Sequence, residues 1–360
     1  MKKFYFISLI FISFLGCSSS DESPNTNPDP EQTLYFPPLQ GTTWETKTVS
    51  ELGWNENAVA PLLTFLEQKH TKGFIILVDG KIVLENYFNG HTATTNWYWA
   101  SAGKTLTATM TGIAEQENLL NINDKVSDYL GMGWTSLTPE KENLITNKHL
   151  LTMTSGIDDQ ENEDCVTPEC LTYKADAGTR WAYHNVYVKL QDVIAEASGQ
   201  TYNSYFNSKL RDKIGMNGNW VNLGNNSVYT STTRSMARFG LLILNKGKWE
   251  NEVILNENYF TASTTTSQNI NEAYGYLWWL NGKSSYHLPQ TQFEFQGTLI
   301  SSGPNDMFMA LGKNDQKIYV IPSKKMVVIR MGDVANPDNP TFALSGFDEE
   351  LWQKINALYQ

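Results

Sequence analysis

Positive charge is in short supply: across 360 residues, 27 Lys and Arg face 38 Asp and Glu, a formal net charge of −11. That is the wrong sign for gripping phosphate backbones or an anionic bilayer surface, so nucleic acid is not an expected partner. Long apolar runs are missing too. The longest lies between Phe4 and Leu15, short of the roughly 18 residues that a spanning helix needs. Membrane contact must therefore come through an anchor. Cysteine is scarce, with three residues in all, and the five histidines His70, His91, His149, His184 and His287 show none of the paired spacings of a ligand set. Neither a metal nor another cofactor is expected. Gly-x-Ser-x-Gly is absent, which removes the nucleophile elbow that this motif encodes. A phosphate-binding loop is also missing: Gly103-Lys104-Thr105 copies its end, but Tyr98 stands where its first glycine belongs.

What the chain does have, 41% apolar and 12% aromatic residues, is enough to bury a full core and excludes wholesale disorder. Its first residues follow another logic. Lys2 and Lys3 precede the apolar run, which ends at Phe14-Leu15-Gly16-Cys17, the layout of a secretory signal over residues 1–16. The exit resembles the lipobox of bacterial lipoproteins, with Phe14 where Leu is usual. That likeness implies a lipid anchor on Cys17 and a place in the cell envelope, as an outer-membrane-type lipoprotein or a periplasmic or secreted protein. Residues 17–41, rich in Ser, Pro, Asn and acids, are too polar to bury anything and read as a flexible tether. Cys165 and Cys170 then remain, five positions apart in an acidic loop. In an exported protein a small disulfide is the natural reading, the alternative being two free thiols.

Periodicity organises residues 42–360 as one domain. Val59, Leu62, Leu63 and Leu66 recur at helical spacing, and Gly73–Val78 and Ile82–Tyr87 read as a hairpin joined by Asp79-Gly80. Strands return at Met307–Leu311, Lys317–Ile321 and Met326–Met331, before a helical stretch from Phe342 to Leu358. Between the two ends, residues 105–265 are mostly helical patterns, such as Lys189–Ala197, Tyr202–Ile214 and Ser235–Leu244. The expected fold is α/β (α+β): an antiparallel sheet built from both chain ends, flanked by helices, with an inserted mostly helical lobe. No internal repeat is present.

Chemistry is best sought where strand gives way to helix, at Trp97-Tyr98-Trp99-Ala100-Ser101-Ala102-Gly103-Lys104. Ser101 and Lys104 are three apart, so on a helix they share a face, with Ser101 near the positive end of the dipole. A serine hydroxyl needs a base. A lysine pressed among tryptophans can serve, because burial disfavours its charged form. Ser101-x-x-Lys104 is the single such spacing in the chain, yet a chain of this length can carry one by chance. A second proton carrier would help, and three Tyr-x-Asn triplets occur. Tyr87-Phe88-Asn89 closes a strand and Tyr205-Phe206-Asn207 lies inside an amphipathic helix. Tyr183-His184-Asn185 follows a loop, where side chains are able to face a cleft.

Ser101-x-x-Lys104, then His149-Leu150-Leu151-Thr152-Met153-Thr154-Ser155-Gly156, then Tyr183-x-Asn185 stand in the order and spacing of the serine β-lactamase-like hydrolases. The chain resembles that family from about Val59 to Met331, and more narrowly the group of class C β-lactamases, D-alanyl-D-alanine carboxypeptidases, related esterases and nylon-oligomer hydrolases. The resemblance implies a β-lactamase/transpeptidase-like fold and an acyl-enzyme mechanism. Ser101 would be the nucleophile, Lys104 its proton acceptor, Tyr183 the proton shuttle to the leaving group, and Asn185 a ligand for a substrate amide. Where β-lactamases carry Lys-Thr-Gly, this chain has Ala310-Leu311-Gly312-Lys313. Gly312 and Lys313 then become the substrate-contacting positions, Gly312 by allowing substrate close to the strand. The missing Lys and Thr shift the expectation from β-lactams to a small ester, amide or peptide. The alternatives are a D-alanyl-D-alanine carboxypeptidase, a weak β-lactamase, or a penicillin-sensor-like binding module. Tyr276, Trp278 and Trp279 are core or pocket wall, His184 is a spacer between motif residues, and Asp158, Asp159, Glu161, Glu163 and Asp164 form an acidic loop, either simply solvated or screening the cleft mouth against anionic substrates.

Overall fold

The computed structural model describes Met1 and residues 34–160, 164–224, 226–337 and 346–359. The signal segment beyond Met1, Cys17, and the tether up to residue 33 lie outside the described residues, as do Glu161, Glu163 and residues 342–345 of the expected last helix. No helix among the described residues is long and apolar enough to cross a membrane.

A six-stranded sheet runs in the order Lys81–Tyr87, Thr71–Val78, Met326–Gly332, Gln316–Ile321, Phe308–Gly312, Trp279–Leu280. Every pairing in it is antiparallel, and both chain ends contribute, as expected. Asp79 and Gly80 both take positive φ, 53° and 80°, the backbone that a two-residue hairpin turn demands. The strands Phe308–Gly312, Gln316–Ile321 and Met326–Gly332 are buried along their whole length. A strand covered on both faces has no reason to alternate, which is why these segments read as continuous apolar runs. The two coverings differ. Ile318 faces Gly240 of the helix Thr233–Leu244. The next residue, Tyr319, points the other way onto Trp352 of the helix Gly346–Asn356, ring centroids 5.5 Å apart. On that second face Phe65 of Val59–Gln68 stacks on Phe347.

Residues 105–265 are helical where the pattern says so: Lys104–Gln116, Lys189–Ser198, and Tyr202–Phe206 continued by π and 3-10 turns to Ile214. Two features differ from the sequence reading. Asn219–Leu223 and Asn226–Ser231 are strands, joined to Trp97–Tyr98 in a three-stranded sheet. Asn219–Leu223 is mostly exposed, so no buried face forced an apolar alternation into its sequence. Thr233–Leu244, for its part, packs on the large sheet, because ten of its twelve residues are buried. Cys165 and Cys170 are disulfide-bonded, with Cα atoms 5.8 Å apart.

Candidate active site

The nucleophile turn is held from behind by Trp99, which is fully buried. Its backbone N–H donates to Tyr229 O at 2.8 Å and its indole N–H to Ser231 Oγ at 2.8 Å. The chain then reverses at Ala100, whose φ of 47° is left-handed for a residue with a Cβ. Such a conformation costs on the order of 1 kcal/mol and tends to be kept at functional turns. It launches the 3-10 turn Ala100–Gly103 and, without a break, the helix Lys104–Gln116. Ser101 is half-buried at the start of this unit, one turn before Lys104.

Lys104 is 1% exposed. Its Nζ donates to Asn185 Oδ1 at 2.5 Å and lies 3.9 Å from the centre of the Tyr187 ring and 5.1 Å from that of Tyr183. Aromatic faces stabilise an ammonium group, offsetting part of the desolvation that burial imposes. Tyr183 is buried in an aromatic box: it stacks on Trp279 at 5.8 Å and meets Trp181 and Tyr274 at 6.1 and 6.2 Å. The box fixes the ring, and so fixes where the phenol points. Ser101, Tyr183, Asn185, Tyr187 and Lys313 line one cleft of about 320 Å³, whose far wall is Leu223, Asn226 and Val228 of the small sheet. That is the size of a small-molecule site.

Gly312 has a different part in this geometry. A Cβ there would stand 2.5 Å from Trp99 O and 2.9 Å from Ala102 N. The space that the glycine leaves is thus taken by the nucleophile turn itself, and the residue facing the cleft at this strand end is Lys313. The turn that follows is pinned by fully buried Arg330, which donates to Asn314 O and Asp315 O at 2.8 and 3.0 Å.

His184 is fully buried, and its Nδ1 accepts from Val186 N–H at 2.9 Å, capping the turn Asn185–Val188. Burial, with the positive Lys104 adding to it, lowers its pKa from 6.5 to about 4. At neutral pH it is an uncharged cap that aims its neighbours into the cleft. A stability effect follows. As pH falls from about 7.5 to about 5, the unfolded chain takes up a proton here that the folded chain refuses, so wild type loses about 2 kcal/mol of unfolding free energy at this residue. His184→Asn keeps a capping acceptor, and urea denaturation at the two pH values should show it losing less by about that amount. Equal losses in both proteins would contradict the buried neutral imidazole.

Tyr276, Trp278 and Trp279 are buried at 5% exposure or less and do not line the cleft. They are core, although Trp279 reaches the chemistry through Tyr183. Asp159 departs most from the sequence reading. It is fully buried and ion-paired to Arg180 at 2.7 Å, whereas Asp158 pairs with Lys174 at 3.0 Å nearer the surface. Asp164 lines the cleft, where its Oδ1 accepts from Asn185 Nδ2 at 3.1 Å and Asn226 Nδ2 at 2.9 Å. Sequence reasoning missed Tyr187, Asn226 and Tyr98 as cleft residues. Tyr187 had a signal, lying one helical turn after Tyr183; Asn226 had none.

The sheet sandwich and a cleft with a serine at a helix start above a buried lysine define the class as a serine hydrolase. The Beta-lactamase family model matches residues 64–340, and the chain belongs to that family, whose members work through a serine acyl-enzyme. Solved structures agree on the fold. A "putative 6-aminohexanoate-dimer hydrolase" from Bacillus anthracis superposes with a TM-score of 0.68 at 18% identity, covering 89% of this chain and 88% of that one. A penicillin-binding protein from Bacillus halodurans gives 0.61 at 16% identity, covering 83% and 100%. A class C β-lactamase gives 0.61 at 17%, covering 84% and 94%. No curated protein matches the sequence.

Proposed function

We propose that the protein is an exported hydrolase that cleaves an ester or amide bond of a small acyl compound or peptide through an acyl-enzyme on Ser101. The observation that carries this reading is that buried Lys104 Nζ lies against the rings of Tyr183 and Tyr187 and is bonded to Asn185, three residues that line the same cleft as Ser101. With the Lys104–Tyr183 pair one proton short in the reactive state, Lys104 takes up the hydroxyl proton as Ser101 Oγ attacks the carbonyl carbon. Tyr183 passes a proton to the departing alcohol or amine and is resupplied by Lys104. Water then enters, gives up a proton to the same pair and bonds to the acyl carbon; the bond to Ser101 Oγ breaks, the pair returns a proton to that oxygen, and the acid departs. The oxyanion is held by the Ser101 backbone N–H and by a second N–H from the strand end at Lys313. Asn185 keeps Lys104 in place and offers its remaining capacity to a substrate amide.

A second reading, a D-alanyl-D-alanine carboxypeptidase or weak β-lactamase, is favoured by Lys313, a cation in the cleft able to meet a substrate carboxylate. Turnover of short-chain esters, nitrocefin and D-alanyl-D-alanine peptides, measured in parallel, separates the two. Ester or simple amide hydrolysis far above the other substrates supports the first; the reverse order sinks it. Residence in the cell envelope, anchored by a lipid on Cys17, is supported by the Cys165–Cys170 disulfide, a bond that persists in oxidising compartments. In the native host, Cys17→Ser should move the protein from the membrane fraction to the soluble one. Unchanged membrane association would refute the anchor.

A further inference from the structure

The segments that carry Ser101 and Lys313 pack with no side chain between them at Gly312, where a Cβ would meet Trp99 O and Ala102 N. One residue on, Lys313 opens a turn in which Asn314 and Asp315 are both left-handed, with φ of 58° and 59°. Two such residues in succession are costly unless their surroundings hold them. The carbonyl side of the turn is gripped from the core. Gln316 Nε2 donates to Asn314 O at 3.0 Å, and Arg330 donates to Asn314 O and Asp315 O. The other side is tied to the nucleophile segment: Asn314 Nδ2 donates to Tyr98 Oη at 2.6 Å. Tyr98 stands three residues before Ser101, in a strand paired with Asn226–Ser231. Ala100, between Tyr98 and Ser101, is left-handed as well. A hydrogen bond thus joins two turns of unfavourable backbone, one leading into Ser101 and the other following Lys313. Neither Tyr98 nor Asn314 belongs to the Ser-x-x-Lys or Tyr-x-Asn motif.

We infer that Tyr98 and Asn314 are positioning residues for the oxyanion site, their hydrogen bond setting the separation of the Ser101 and Lys313 backbone N–H groups. The inference rests on the reading of those two groups as the oxyanion donors. Stabilisation of this kind depends on donors that are fixed before the reaction begins, because a donor that must first move into place gives back part of what it contributes. Ser101 rides on a turn backed by buried Trp99. Lys313 is exposed, so packing does little to place it, and its position comes from the hydrogen bonds of the turn that it opens. Asparagine suits the post twice: it tolerates the left-handed backbone better than most residues, and its amide reaches across to the phenol. The bond acts on the donors and not on the substrate, so its loss should be felt in the tetrahedral state.

Two variants and their combination test this. Tyr98→Phe keeps the ring and removes the acceptor, and Asn314→Gly removes the donor while accepting the left-handed backbone. Each should lower kcat/KM for a p-nitrophenyl ester by about five- to fiftyfold, short of the loss of about 10²–10³-fold that follows removal of an oxyanion donor outright. Phenylboronic acid supplies a readout that a merely structural role would not move. Ser101 Oγ bonds to its boron, the hydroxyl proton passes to the base, and the tetrahedral boronate sets an oxygen where the oxyanion forms. Its inhibition constant should rise in each variant by the factor by which kcat/KM falls. Because one bond serves both residues, the double variant should lose no more than the worse single one. Wild-type values of kcat/KM and of the inhibition constant in Tyr98→Phe overturn the proposal, and that variant decides the matter even where Asn314→Gly folds poorly. A fall in kcat/KM with boronate inhibition unchanged overturns it too, as do losses that multiply in the double variant. A wild type that the boronic acid does not inhibit and a fluorophosphonate does not label sinks the proposed function itself, and is thereby distinguishable.

Discussion

Replacing Ser101 by Ala should abolish covalent labelling by a fluorophosphonate and lower ester turnover by about 10³-fold or more, while the thermal transition stays where it is. The size of the loss follows from covalent catalysis: without Oγ there is no acyl-enzyme, and what remains is binding and any oxyanion stabilisation. The silence in stability follows from position. Ser101 is half-buried on the cleft side of its turn, and the turn is held by Trp99 through its two hydrogen bonds, none of which the hydroxyl supplies. Labelling that persists undiminished in Ser101→Ala would end the assignment. So would a wild-type protein that carries no adduct.

The next largest effects belong to Lys104 and Tyr183. Tyr183→Phe keeps the ring that stacks on Trp279 and removes only the hydroxyl, so it is the cleaner substitution. Turnover of a p-nitrophenyl ester should fall by about 10²–10⁴-fold, the usual worth of a positioned proton carrier. Lys104→Met fills a similar volume but cannot accept the serine proton, and a loss of the same order is expected. Its structural consequence is different. The ammonium that Asn185 Oδ1 and the Tyr187 ring receive disappears, leaving a half-buried amide oxygen one partner short, a cost at the low end of about 1–3 kcal/mol because the cleft admits water. Removing a buried charge works in the opposite direction, so the net change in stability should be small beside the loss of activity. Full activity in either variant, measured as kcat/KM across pH, contradicts the role given to that residue. If the two residues act as one proton-trading unit, the double variant should lose little more than the worse single one.

Much of this site was legible in the chain before any folding was considered. Three-residue spacing puts Ser101 and Lys104 on one face whatever the rest of the protein does, because helical geometry is local. Asp79-Gly80 between two apolar runs demanded a hairpin for the same reason. His184 was readable only in part: its place between Tyr183 and Asn185 marked it as a spacer, but nothing in the sequence said that it would point into the core and cap a turn. Because its residues are of one kind, the acidic loop reads as a unit, solvated or screening the cleft mouth. Folding divided it, sending Asp159 inward to Arg180, Asp158 towards Lys174 and Asp164 into the cleft.

By itself, then, the sequence determined the helices, the hairpin, the Ser101–Lys104 spacing and the family, all of which depend on backbone periodicity or on residues close in the chain. Only the tertiary structure decided that Tyr183 arrives beside Lys104 across 79 positions, that Gly312 makes room for the nucleophile turn, and that Asn226 and Asp164 meet over the cleft. Those are contacts between distant segments whose approach is set by how buried faces pack, and a packing partner leaves little trace in the local pattern of either segment.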